Sequence, residues 1–267
     1  MSELDASLLQ LVIETATNLP DDVREVTETW RARESKGSLS RLAVEIICQN
    51  VDKARLNRVP ICQDTGMPTF WLRTPRGYDV SLLQRGINEA MATATRIGVL
   101  RPNSVDSVTG KNAGLNLGPG TPVVHLEQED RSDIEVMLLL KGGGCENQST
   151  QYSLPCDLGE LGRADRDLDG AYLCIMHALH KAQGHGCSAG FIGVCIGSDR
   201  AEGYAEAKRQ LLRPTSDINP NPTLAALEER VMANADRLGI GTMGFGGNIT
   251  LLGCKVSALN RVPASFF

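Results

Sequence analysis

The chain has 267 residues, 42% of them apolar and 22% charged, with a formal net charge of −5. That is enough chain for a sizeable buried core, and no stretch approaches the roughly 20 apolar residues of a membrane helix, so no membrane role is expected. The acidic balance argues against broad phosphate-backbone binding, which needs clustered Lys and Arg, so nucleic acid is not an expected partner.

The start, Met1-Ser2-Glu3-Leu4-Asp5, lacks the basic and apolar stretches of a secretory signal and makes the cytoplasm the expected compartment. Residues 4–18 and 38–55 carry apolar positions at helical spacing (Leu8, Leu9, Val12, Ile13, then Leu42, Val44, Ile47), with Asp21 and Asp22 marking a break between them. Pro60 to Gly66 reads as a loop feeding a short β-type run, Thr69-Phe70-Trp71-Leu72. Residues 80–99 predict an amphipathic helix that ends at Leu100-Arg101-Pro102, where proline disfavours further helix. Residues 102–122 form a long loop rich in Asn, Gly and Pro, and structureless loops of that length usually carry function.

Two runs rich in Val, Ile and Leu, 123–127 and 134–140, flank a polar segment and predict an antiparallel hairpin. The second runs straight into Lys141-Gly142-Gly143-Gly144-Cys145. A helix over 167–184, a strand over 190–196 and a helix over 201–212 follow, then a proline-bearing linker and a helix over 223–238. The glycine-rich stretch 239–247 leads to a last strand over 248–256. Without an internal repeat, a domain boundary or strict alternation, the expectation is a single α+β domain over 1–267, mixing helices with antiparallel strands.

Eight cysteines in a chain with its own core and a reducing compartment read as thiols rather than disulfides. Cys48, Cys174 and Cys254 sit in helix or strand runs and read as small core hydrophobes, whereas Cys62, Cys145 and Cys187 lie beside Gly, Pro or polar loop residues where a sulfur can face a site. No Cys-x-x-Cys and no zinc-finger His spacing occurs, so any metal site is assembled from distant loops. His177, His180 and His185 are alternative ligands, but His177 and His180 fall within a helical pattern and His125 within a strand, where an ordinary structural role is the commoner one. Gly142 to Gly144 and Gly244, Gly246 and Gly247 are either tight turns or places where backbone N–H groups meet a carboxylate or sulfide. By themselves, Asp64 before Thr65-Gly66 reads as an Asx-turn and Arg101 as a helix-end charge.

Pro60-Ile61-Cys62-Gln63-Asp64-Thr65-Gly66 resembles the Cys-Gln-Asp-Thr-Gly signature of class I fumarate hydratases and L-tartrate dehydratases, the oxygen-sensitive iron–sulfur hydro-lyases. Four further segments resemble that family in the same order: Arg101 after a helix, Lys141 to Asn147, Gly186-Cys187-Ser188-Ala189-Gly190 leading into 192–197, and Gly241 to Gly247. The likeness covers nearly the whole chain and is to the α subunit, because single-chain members are about twice as long.

The resemblance implies a [4Fe–4S] cluster held by three cysteine thiolates, with one iron open to a small dicarboxylate substrate. Carried over by motif, Cys62 and Cys187 are cluster ligands, Asp64 shuttles the proton of the substrate hydroxyl, and Gln63, Arg101 and the backbone of Gly144 contact substrate. Cys145 reads as loop packing or as a support behind the ligands rather than as a ligand, since related sequences often place Ser there. The third cluster cysteine is expected beyond Phe267, on the expectation that the C-terminus is clipped, and Asn260-Arg261-Val262-Pro263 lacks the His that single-chain members carry nearby. The second half of the active site, including the base, is expected from a β subunit in an αβ or (αβ)2 assembly. Fumarate hydration to L-malate is the leading expectation, with L-tartrate dehydration and mesaconate hydration beside it. The readings of another class are a cluster-free interaction subunit and a zinc-binding module.

Overall fold

Ser2 opens the first helix by exchanging hydrogen bonds with Asp5: its Oγ accepts the Asp5 N–H at 3.1 Å and the Asp5 carboxyl accepts the Ser2 N–H at 3.0 Å. The computed structural model describes residues 2–187 and 189–267, so Met1 and the Ser188 of the Gly186 to Gly190 motif lie outside the described residues. In chain order the elements are α1 (Glu3–Thr17), α2 (Asp21–Arg33), α3 (Leu39–Asn57), β1 (Met67–Pro75), α4 (Val80–Arg96), β2 (Val123–Glu129), β3 (Glu135–Lys141) and α5 (Gly143–Glu146). They continue with β4 (Cys156–Asp157), β5 (Arg163–Ala164), α6 (Leu168–Ala182), β6 (Gly190–Gly197), α7 (Arg200–Gln210), α8 (Pro222–Ala235) and β7 (Leu251–Leu259). The architecture is α+β, and its contacts divide it into two compact units, residues 1–20 with 49–143 and residues 21–48 with 144–267. No described helix is long and apolar enough to cross a membrane.

The core of the first unit forms where α1 and α4 press against a three-stranded sheet. Leu8, Val12 and Ala16 of α1 and Leu83, Ile87, Ala90, Met91 and Ala94 of α4 recur at helical spacing and bury together with Phe70 and Leu72. Asp79 caps α4 by accepting the Ser81 N–H. Strand β1 lies at the centre of the sheet, parallel to β2 and antiparallel to β3, so the hairpin expected between residues 123–127 and 134–140 does not form. The physical reason lies in β1 itself: Pro68 to Leu72 are buried in succession, as in a strand covered on both sides. The short segment between β2 and β3 therefore steps across the end of β1, and Arg73 of β1 reaches Glu127 of β2 at 3.3 Å and Glu135 of β3 at 3.5 Å.

Two other expectations are corrected. Asp21 and Asp22 do not merely mark a break; they begin α2, where carboxylates favour a helix N-terminus. The last strand starts at Leu251 rather than 248, because the N–H groups of Asn248 and Ile249 bond the Glu34 carboxyl at 3.0 and 3.1 Å and that of Thr250 bonds Asp236 at 2.9 Å.

In the second unit β6 and β7 pair in parallel, and α6 and α8 bury Cys174, Ile175, Leu227 and Val231 against Cys254 and Val256. Behind β7 lies a network of charges. Arg213 bonds Asp217 through two nitrogens at 2.9 Å and Glu228 at 2.9 Å, while Lys255 Nζ reaches Asp217 Oδ1 at 2.6 Å. Glu228 also accepts the Val256 N–H at 2.7 Å and the Asn219 amide at 2.9 Å, so the network leaves its members hydrogen-bonded. Partial burial works against the Asp217 charge, yet hydrogen bonds from Arg213 and Lys255 outweigh it and hold the carboxyl below its ordinary value of 3.8.

A carboxyl depressed on folding contributes stability that is complete above its unfolded value and is lost as the pH falls through the lower folded value. Urea titrations from about pH 5 to about pH 2 should accordingly show a shallower loss of midpoint in Asp217→Asn than in the unaltered protein. An identical acid limb in both would assign the loss to other carboxylates.

Candidate functional site

The loop of residues 60–66 is fixed at its start and end before its side chains come into play. The Ile61 N–H donates to Ala16 O of α1 at 3.0 Å, and the Asn50 amide of α3 donates to Ile61 O at 2.7 Å. At the other end Gly66 has φ +83°, and a Cβ built there would lie 2.6 Å from the carbonyl carbon of Lys141. Only glycine allows the loop to lie this close to the end of β3. The buried Thr65 donates its hydroxyl to Arg101 O at 3.3 Å, which brings the turn after α4 to the same place.

Asp64 lies between these anchors. Its Oδ1 accepts the Gly66 N–H and the Asn103 amide, each at 3.2 Å, and its Oδ2 accepts the Gly143 N–H at 2.7 Å. The expected Asx-turn is therefore present, and two long-range donors add to it. Asn103 also donates to Gln63 O at 3.3 Å. The turn 101–104 is wrapped around Asn116, which is 4% exposed: its Oδ1 accepts the N–H groups of Asn103 and Ser104 at 2.9 and 3.0 Å, and its Nδ2 donates to Arg101 O at 2.8 Å. In the first unit the fold thus gathers Cys62, Gln63, Asp64 and Arg101, with Cys62, Gln63 and Arg101 exposed. Sequence reading marked Asn103 and Asn116 only as loop residues. Their spacing after Pro102 is the one signal, and it gives no hint of what they bond.

The second unit holds Gly144 and Cys187. Gly144 is exposed in the single turn of α5, and Cys187 is exposed in a turn where Gln183, Gly186 and Cys187 have φ of +46°, +72° and +61°. A non-glycine residue in the left-handed region needs support from its surroundings. Part of that support is local: the Cys145 thiol donates to Gly186 O at 2.9 Å, and Gly186 lies against Gln148 and the Gly144 carbonyl. Cys62 and Cys187 therefore belong to different units. Among the described residues, no group of three or more His, Cys, Asp and Glu side chains is gathered as a metal site.

None of the eight cysteines is in a disulfide, and Cys156 and Cys195 are half-buried while the other six divide into buried and exposed. Cys48, Cys174 and Cys254 are buried, as expected; burial, with Cys156 nearby, pushes the Cys174 thiol up to about 12, and burial pushes Cys254 up to about 12. Cys62 and Cys187 are exposed outside helices and strands, and Cys145 is exposed in the single turn of α5 rather than in the loop expected for it. Two of the histidines have structural partners: His125 stacks on Trp71 with ring centroids 5.1 Å apart, and His177 Nδ1 lies 2.7 Å from the Tyr152 hydroxyl.

Comparison with known proteins adds a family to this geometry. Residues 6–267 match the family model described as fumarate hydratase (fumerase). A Geobacillus stearothermophilus protein provisionally named class I fumarate hydratase is 55% identical over 267 residues, which is 100% of this chain and 52% of that protein. The chain thus spans about half the length of that relative. A Methanocaldococcus jannaschii protein provisionally named L(+)-tartrate dehydratase subunit alpha is 30% identical, covering 94% of this chain and 90% of its own. The L(+)-tartrate dehydratase subunit alpha of Escherichia coli K12 is 27% identical, covering 99% of this chain and 84% of its own. With a family model matched from residue 6 to residue 267 and that level of identity across the full chain, the protein belongs to the fumarate hydratase family.

Proposed function

We propose that the chain is the α-type half of a class I fumarate hydratase and that, assembled with a β-type half, it reversibly hydrates fumarate to L-malate. The observation that carries the reading is the Asp64 carboxyl, held by Gly66, Asn103 and Gly143 inside the loop that also bears Cys62 and Gln63. A hydro-lyase must move a proton on and off a hydroxyl as the C–O bond breaks and forms, and a carboxyl fixed by backbone donors is suited to that task. Asp64 takes that role. Arg101, an exposed residue whose carbonyl is bonded by Thr65 of the same loop, grips a substrate carboxylate through two parallel hydrogen bonds, and Gln63 and the Gly144 backbone complete the contacts. The base that takes the carbon-bound proton comes from the β-type half, in an αβ or (αβ)2 assembly working in the cytoplasm.

The donor set fits a [4Fe–4S] cluster: Cys62 and Cys187 are exposed loop thiols, unlike the buried cysteines, and would supply two of its three thiolates. When bound, the cluster offers an iron that stabilises negative charge on a departing hydroxyl oxygen. Fumarate is preferred over L-tartrate because identity is 55% to the fumarate hydratase relative against 30% and 27% to the tartrate dehydratase subunits. Mesaconate differs from fumarate by one methyl group, and a coupled assay of the assembled enzyme with malate, tartrate and mesaconate separates the three.

In that assembly, Asp64→Asn should lower kcat by about 10²- to 10⁴-fold with little change in KM, the signature of a lost proton shuttle. Unchanged turnover would remove Asp64 from the chemistry. Arg101→Lys should raise KM for fumarate by about tenfold or more, since an ammonium lacks the paired donors. Protein purified without oxygen should be brown and contain iron, and Cys62→Ser or Cys187→Ser should each lower the iron bound per chain. A colourless protein with stoichiometric zinc would refute the cluster.

A further inference from the structure

Glu34 follows α2 and is only 3% exposed, yet it is not part of the site described above. Its carboxyl accepts the Asn248 N–H at 3.0 Å, the Ile249 N–H at 3.1 Å and the Ser40 hydroxyl at 3.2 Å. Ser40, fully buried at the start of α3, accepts the Thr242 N–H at 2.6 Å. The glycine-rich stretch 239–247 is therefore pinned near both ends by one carboxyl and its serine. The fit leaves no space: a Cβ at Gly247 would lie 2.6 Å from Ser40 Oγ and 2.7 Å from both Glu34 oxygens. Burying a carboxyl is costly unless donors satisfy it, so the contacts that satisfy Glu34 also hold the loop to it.

The pinned stretch in turn backs the turn that bears Cys187. A Cβ at Gly184 would lie 2.4 Å from Met243 O and 2.5 Å from the Gly244 Cα, so the two backbones are in direct contact. On the other side of Cys187, Ala189 is buried in a cluster with Trp30, Val44, Cys48 and Ile249. Ile249 is one of the residues whose N–H bonds Glu34. One flank of the Cys187 turn thus rests on backbone of the pinned stretch and the other packs in a cluster that includes Ile249, and between them Cys187 keeps its unfavourable φ of +61°. We propose that Glu34, acting with Ser40 through the 239–249 segment, is a positioning residue that sets the direction of the Cys187 thiol. The inference rests on the reading of Cys187 as a cluster ligand, and it adds to that reading a support remote in sequence from every motif.

The test uses the full-length protein with its β-type half and the variants Ser40→Ala, Glu34→Ala and Glu34→Gln. Hydrogen exchange should speed up about tenfold at the amides of residues 183–187 in Ser40→Ala and Glu34→Ala, while the amides of α8 keep their rates. Glu34→Gln, which retains one acceptor oxygen, should fall between Glu34→Ala and the unaltered protein. The rate at which a chelator strips iron should rise in the same order. Unchanged exchange at 183–187, or a uniform rise that includes α8, overturns the proposal. If Glu34→Ala fails to fold, Ser40→Ala decides, because it removes a single hydroxyl. An unaltered protein that binds no iron refutes the ligand role of Cys187, and the exchange comparison still decides whether Glu34 positions the turn.

Discussion

The close approach of the 60–66 loop to the end of β3 is the constraint on which the first half of the site depends. Two contacts make it: Gly66 lies against the Lys141 backbone with no space for a side chain, and the Asp64 carboxyl accepts the Gly143 N–H at 2.7 Å. Without glycine at 66 the loop stands off from the strand, and without the carboxyl the exposed Gly143 N–H turns to water and the loop loses that tether. The sheet order serves the same end, because β1 at the centre has β3 as its antiparallel neighbour and pairs Met67 with Lys141. The strand that begins just after the loop thus carries the glycine run back to it.

How much of this was legible in the sequence depended on the range of the forces involved. Helices α1, α3, α4, α6 and α8 follow from apolar spacing, which acts within a few residues. The pairing of β2 and β3 was not legible, because their apolar runs look alike whether they face each other or flank a third strand. What decides is the continuous burial of β1, a property of the packed unit rather than of either run. The start of β7 was displaced for the same kind of reason: Glu34 and Asp236 take the N–H groups of residues 248–250 from positions that sequence alone does not connect to them.

The site divides along the same line. The residue types in the Cys62 to Gly66 loop and at Arg101 and Cys187 mark them out, and the motifs that carry them are short. The partners of Asp64 are not marked, since Asn103 and Gly143 lie 39 and 79 positions away and act through one amide and one backbone N–H. Cysteine shows the contrast in one residue type. In the core, burial pushes Cys174 and Cys254 up to about 12 and leaves them inert small hydrophobes, while the loop thiols stay in reach of solvent and of a ligand.

An ionised carboxylate offers about four lone-pair directions in its plane. At Asp64 two on Oδ1 are taken by Gly66 and Asn103, and one on Oδ2 by Gly143. With donors on both of its oxygens, the carboxyl plane can turn only if one of these bonds breaks, so the side chain is held in one orientation by the backbone around it.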